Sequence, residues 1–138
     1  MMDEDANAPR HAALLAPFTL YRALRSGPMN PTYATQEPAR ADIDARHGAT
    51  LLEFGSPTCG HCRRAQPLIA QAFAGHEGVE HLKVEDGPGR PLGRSYRIKL
   101  WPTLIFLADG VEVERLVRPT DDAAIRAALA RIDAAASP

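Results

Sequence analysis

Thr50-Leu51-Leu52-Glu53-Phe54 leads, through Gly55-Ser56-Pro57-Thr58, into Cys59-Gly60-His61-Cys62, and this passage decides how the whole chain is read. The opening five residues make a continuous apolar run interrupted by one acid, the pattern of a strand covered on both faces. From Cys59 to Ala74 the side chains of Leu68, Ile69, Ala72 and Phe73 share a helical face, with Gly75 placed to end the helix. The two cysteines are the only ones in the chain, and this reading sets both on the first turn of a helix that follows a buried strand. Thiols at that spacing can close a small disulfide ring. The unpaired N–H groups and dipole of a helix start favour the thiolate of the first sulfur, and a thiolate, not a thiol, attacks a disulfide. Redox exchange between thiols and disulfides is the chemistry this arrangement suggests.

Outward from the cysteines the elements alternate. Pro38 to Arg46 reads as a helix stopped by Gly48. Val79 to Val84 reads as a strand, followed by a glycine- and proline-rich loop from Asp86 to Gly93 and a short helix near Leu92 to Ile98. Thr103 to Leu107 and Val111 to Val117 are strands joined by the hairpin signal Ala108-Asp109-Gly110. A last helix starts near Thr120, with Asp121 and Asp122 at its positive end and Ile125, Leu129 and Ile132 on one face. Strands alternating with helices and closing on a hairpin imply an α/β sandwich with a mixed sheet.

The first 35 residues differ. They carry Pro9, Pro17, Pro28 and Pro31, a turn signal at Ser26-Gly27-Pro28 and little sustained periodicity. Residues 1–35 are expected to form a flexible or loosely docked extension, and 36–138 the folded domain. Leu14, Leu15, Phe18, Leu20, Tyr21 and Leu24 would let part of the extension dock as a short amphipathic helix, and Met29 is a second candidate start.

Composition narrows the function. A chain of 138 residues with 45% hydrophobic and 24% charged residues can bury about two-thirds of its unfolded surface in one core. A net charge of −1 provides no field to gather nucleic acid or anionic lipid, so neither nucleic acid nor a membrane is an expected partner. Met1-Met2-Asp3-Glu4-Asp5 is acidic where a secretory signal is basic, and no stretch approaches the roughly 20 apolar residues of a membrane-spanning helix. A cytoplasmic monomer is the expectation, although a paired cysteine motif would serve equally in a periplasm.

Several spaced features together resemble the thioredoxin family, over about Thr50 to Ile132. The Cys-Gly-His-Cys box is the form found in protein disulfide isomerase domains. Glu53 lies six positions before Cys59, where the family places a buried acid, and Pro67, eight after it, matches a kink in the active-site helix. Tyr96-Arg97-Ile98-Lys99-Leu100-Trp101-Pro102-Thr103 resembles the segment whose cis-proline faces the disulfide. Lys83, nineteen before Pro102, falls where a lysine often accompanies the acid. The resemblance implies a thioredoxin-like three-layer sandwich: a central mixed sheet of about four to five strands with helices on both faces. It implies a protein-disulfide oxidoreductase in which Cys59 attacks and Cys62 resolves. The redox-active Cys59–Cys62 disulfide would be its only cofactor, its partners protein disulfides or dithiols and a thioredoxin reductase-type or other redox protein. Trp101, Pro102, Thr58 and Gly60 would meet the substrate, a cis bond turning the Trp101 N–H and C=O outward to an extended chain. Three departures stand out. Thr58 replaces the usual tryptophan, Trp101 replaces a small or β-branched residue, and Arg118 replaces a glycine beside the substrate groove.

Each polar site residue has competing roles. Glu53, its pKa raised by burial, would take the proton of Cys62 through a water, with Lys83 tuning it; otherwise it pairs with Lys83 or reaches solvent. His61 as imidazolium would favour the thiolate and raise the reduction potential; otherwise it is simply solvated. Trp101 would otherwise be core. Arg63 and Arg64 make the mouth basic. A zinc knuckle needs about four ligands, and His47, His76 and His81 are scattered, so no metal is expected. A thioredoxin-fold adaptor that holds partners without turnover is the main rival to an enzyme, and a metal-binding cysteine pair a lesser one.

Overall fold

The computed structural model describes residues 29–136. The elements follow in the order α1 (Arg40–Asp44), β1 (Ala49–Gly55), α2 (Gly60–Ala72), β2 (Glu80–Glu85), α3 (Pro91–Ser95), β3 (Thr103–Ala108), β4 (Val111–Val117) and α4 (Asp122–Ala135). Four strands form one sheet in the order β2-β1-β3-β4. β2 runs parallel to β1, while β3 and β4 are antiparallel to their neighbours. The sheet is therefore mixed.

Alternation along the strands sorts the core into two layers. Leu51, Leu104 and Phe106 pack with Ala65, Ile69 and Ala72 of α2 and with Ile125, Leu129 and Ile132 of α4. Leu52, Phe54, Ile105 and Leu107 point the other way, against Ile43 of α1 and Leu92 of α3. Helices thus cover both faces of β1 and β3, and this is why those strands read as continuous apolar runs, broken only by Glu53 in β1. Asp121 caps α4, its side chain accepting the Ala124 N–H at 2.9 Å. Asp109 and Gly110 both adopt positive φ in the β3–β4 turn, as a two-residue hairpin requires. A Cβ on Gly110 would stand 2.1 Å from the Asp44 carbonyl, so glycine also lets this turn close on the end of α1.

β2 is an edge strand, and residues 29–34 cover it. The Ala34 N–H donates to the Lys83 carbonyl at 2.8 Å, Asn30 bonds the His81 ring and carbonyl, and Met29 packs against the core layer that holds α2 and α4. Sequence grouped this stretch with the extension because its prolines and lack of periodicity mask how it seals a sheet edge. The amphipathic stretch Leu14 to Leu24 lies outside the described residues.

Candidate active site

The site forms where β1 ends and α2 begins. Cys59 has extended backbone and caps α2, its sulfur accepting the Cys62 N–H at 3.2 Å. It does with sulfur what an N-cap oxygen does elsewhere, meeting one of the free N–H groups of the first turn. Cys59 is half-buried and Cys62 buried, and both are free thiols. Nothing lies within 4 Å of where a Gly60 Cβ would stand, so the turn beside Cys59 is open to a partner. Burial, followed by a hydrogen bond with Cys59, pushes the Cys62 thiol up to about 12; a backbone bond at Ser56 and the Tyr33 hydroxyl act in the opposite sense. Thr58 is exposed and turned onto Ser56, its hydroxyl 3.1 Å from the Ser56 hydroxyl.

Behind the cysteines Glu53 is fully buried. His81 Nε2 lies 2.9 Å from Glu53 Oε1, and Gln66 Nε2 donates to Oε2 at 3.0 Å. The Asn30 N–H donates to His81 Nδ1 at 2.8 Å. That nitrogen is therefore an acceptor, so the ring is neutral and its one proton sits on Nε2, directed at Glu53. Gln66 is oriented with equal certainty: Lys83 Nζ, which can only donate, meets its Oε1 at 2.8 Å, while its Nε2 also donates to the Cys62 carbonyl at 2.8 Å. Lys83 further bonds the Pro31 carbonyl at 3.3 Å and lies 4.6 Å from the centre of the Tyr33 ring.

Glu53 and Lys83 are register partners on β1 and β2, yet Lys83 reaches the acid through Gln66, so neither the direct pair nor the solvent-facing acid describes the site. His81, read from sequence as scattered, is hydrogen-bonded to Glu53 Oε1. The signal that could have found it is parity: His81 and Lys83 share a face of β2, and Glu53 is opposite Lys83. Gln66, four positions after Cys62 on α2, carried a helical signal of the same kind. Asn30 and Tyr33 carried none.

At the mouth, Arg64 Nη2 lies 2.9 Å from His61 Nδ1. A guanidinium only donates, so this nitrogen accepts and the His61 ring is neutral. The Arg118 charge above all, with slight burial and Arg64 adding to it, holds the His61 pKa below the ordinary imidazole value. The expected imidazolium is not what the mouth favours: Arg118 and Arg64, permanently charged, suppress the charge on His61.

The Trp101–Pro102 peptide bond is cis, as the resemblance implied. Trp101 is half-buried and tied at its indole, whose N–H donates to Asp86 Oδ2 at 2.9 Å. Gly93 makes room for that anchor, since a Cβ there would stand 2.1 Å from Asp86 Oδ1. Arg118, in the left-handed region at φ 49, donates its N–H to the Pro102 carbonyl at 3.0 Å and its Nε to the Trp101 carbonyl at 2.9 Å. The carbonyl expected to face a substrate is therefore already engaged by a side chain where a glycine would leave it bare. The same guanidinium influences His61, which brings the proline loop to the cysteine side of the molecule.

A cleft of about 380 Å³ reaches Cys62 from the flank, between Tyr33, Ser56, Arg63, Gln66 and Lys83. Among the described residues no three His, Cys, Asp or Glu side chains converge as a metal site would need. None of the described helices is long and apolar enough to cross a membrane.

Two thiols so unequal in exposure, one capping a helix and one buried with its carbonyl and the buried acid sharing the Gln66 amide, suit successive attacks on a single disulfide, the chemistry of thiol–disulfide exchange. Comparison with known proteins agrees. The thioredoxin family model matches residues 31–131, and the chain belongs to the thioredoxin family. It is similar to the structure of thioredoxin 2 from Pseudomonas aeruginosa PAO1 in its reduced form, at 50% identity and a TM-score of 0.69, covering 76% of this chain and 98% of that one. Thioredoxin-1 of Caenorhabditis elegans is 31% identical over 72 residues, 52% of this chain and 63% of that protein. Protein disulfide-isomerase A2 of Pongo abelii is 38% identical over 68 residues, 46% of this chain and 13% of that protein. The chain spans between 12% and 63% of the lengths of the first curated relatives it matches.

Proposed function

We propose that the protein exchanges disulfides with protein substrates, using Cys59 and Cys62 as its only redox centre. The Cys59 thiolate attacks one sulfur of a partner disulfide, forming a Cys59–partner bond and expelling the second partner sulfur with the electron pair. Cys62 loses its proton, attacks Cys59 and closes the Cys59–Cys62 disulfide, releasing the first partner sulfur as a thiolate that takes up a proton. Two electrons have passed to the partner. A thioredoxin reductase-type protein, or another dithiol, returns them.

The observation that carries this reading is the Cys59 sulfur placed on the N–H groups of α2, where negative charge is favoured, with Cys62 directly behind it. Glu53 is the acceptor of the Cys62 proton in this scheme, through an intervening water. Each of its oxygens accepts one hydrogen bond from His81 or Gln66 and keeps capacity for another. Lys83 acts on it through Gln66. Trp101, Pro102, Thr58 and Gly60 frame the docking surface, where a substrate strand must either share the Trp101 carbonyl with Arg118 or displace it. The protein works as a soluble cytoplasmic monomer in this reading.

Arg118 on the Trp101 carbonyl favours one rival, an adaptor that binds partners without turnover. Reduction of insulin by dithiothreitol separates the two: an exchanger accelerates it, whereas a rate left at background excludes turnover.

A further inference from the structure

Among the described residues, the buried polar atoms around the cysteines are accounted for by hydrogen bonds except one that the exchange scheme leaves unused. Among the described residues the Tyr33 hydroxyl is shielded from solvent and meets no hydrogen-bond partner within bonding geometry, the Cys62 sulfur being the charge-bearing group it senses most. An orphaned buried hydroxyl is costly, so it calls for a reason. Its position supplies one. A Cβ on Gly55 would stand 2.6 Å from the Cys62 sulfur and 2.9 Å from the Tyr33 oxygen, so the two atoms converge on one point above the end of β1. Gly55 is not at positive φ; what glycine provides there is the space for this approach.

Tyr33 is also held for the purpose. Its ring lies under the Lys83 ammonium, and the Ala34 N–H and Pro31 carbonyl bond the Lys83 backbone and side chain respectively. The ring and the sulfur both line the cleft on the flank of α2. In the dithiol the hydroxyl has nothing charged to serve. When Cys62 ionises, an O–H donor with no competing partner faces a sulfur anion buried away from water.

We propose that the Tyr33 hydroxyl donates a hydrogen bond to the Cys62 sulfur as that sulfur becomes a thiolate, making Tyr33 a further catalytic residue for the resolving step. The inference rests on the exchange reading above. Proton and electron flow are as in that scheme: the Cys62 proton leaves, the Cys59–Cys62 bond forms, and the bond from Cys59 to its partner breaks. Tyr33 keeps its own proton throughout. Burial and the neighbouring cysteine and Glu53 charges raise the phenol's pKa, which suits a group that donates without ionising. The opposing influence of Tyr33 on the otherwise elevated Cys62 thiol has the same sense.

The test uses the reduced 138-residue chain and the dithionitrobenzoate disulfide reagent. The first thionitrobenzoate is released when Cys59 captures the reagent, and the second when Cys62 resolves the mixed disulfide. In Tyr33→Phe the first phase is expected at the wild-type rate and the second about tenfold slower throughout the neutral pH range, as for loss of one hydrogen bond to a charged group. Thermal stability should hold or rise, because the hydroxyl has no partner to lose in the resting state. A second phase at the wild-type rate, or equal slowing of both phases, overturns the proposal. Failure of the exchange reading would look different: the wild type itself would then release no second thionitrobenzoate.

Discussion

The two faces of β1 divide the work of the molecule. Leu52 and Phe54 point into a layer closed by α1 and α3 that is almost wholly apolar. Leu51 shares the opposite face with Glu53, and there the apolar layer gives way under the start of α2 to Glu53, His81, Gln66 and Lys83, each held by named partners. One strand thus serves stability on one side and chemistry on the other. The contrast shows that a buried acid is tolerated where every donor around it is assigned, and that the reactive end is confined to one face.

Substitutions at the cysteines break the comparison most severely. Cys59→Ser should abolish disulfide exchange, while Cys62→Ser should capture a partner and accumulate the mixed disulfide on a non-reducing gel; neither change should unfold a chain whose core has no structural disulfide. On the apolar face, Phe54→Ala should cost about 3 to 5 kcal/mol in urea unfolding and leave the exchange rate per folded molecule unchanged. An equal loss of rate would show that the faces are not independent.

Glu53→Gln removes the proton acceptor and should slow resolution about a hundredfold, with loss of the wild-type pH dependence; retention of that dependence would end the proton role. Cys62 also ties stability to alkali. Its folded pKa is raised from 9.0 to about 12, so between those values the unfolded chain has lost the proton that the folded chain keeps. Stability should be whole below 9.0, fall as pH rises through the folded value near 12, and fall less steeply in Cys62→Ala. Urea midpoints across that range would show it.

The smallest effects are at the mouth. With the His61 ring neutral, His61→Ala should leave the reduction potential against glutathione nearly unmoved. Arg118→Ala should lower it by about 10 to 20 mV, because an exposed cation at the mouth is lost. The reverse order would restore charge to His61.

Legibility in the sequence followed the range of the signal. The β1–α2 passage, the hairpin at Asp109-Gly110 and the Asp121 cap rest on periodicity and local backbone chemistry, and each is found within a residue or two of its expected place. The cis-proline was legible only through family resemblance, since nothing in Trp101-Pro102 itself selects that isomer. His81 and Gln66 were half-visible, through strand parity and helix spacing. How the segment 29–34 docks was not legible, because its hydrogen bonds run to β2, some fifty residues onward, where no local pattern can record them.

The amino-acid order by itself determined that a helix begins at two cysteines behind a buried strand with one acid in it, because those facts are written in neighbouring residues. Only the tertiary structure decided what surrounds them: a neutral His81 and a bridging Gln66 on the acid, guanidinium groups that keep His61 uncharged, Arg118 on the Trp101 carbonyl, and Tyr33 against Cys62. Proton positions and charge states depend on which donor meets which acceptor in space, and those meetings exist only once distant segments have packed together.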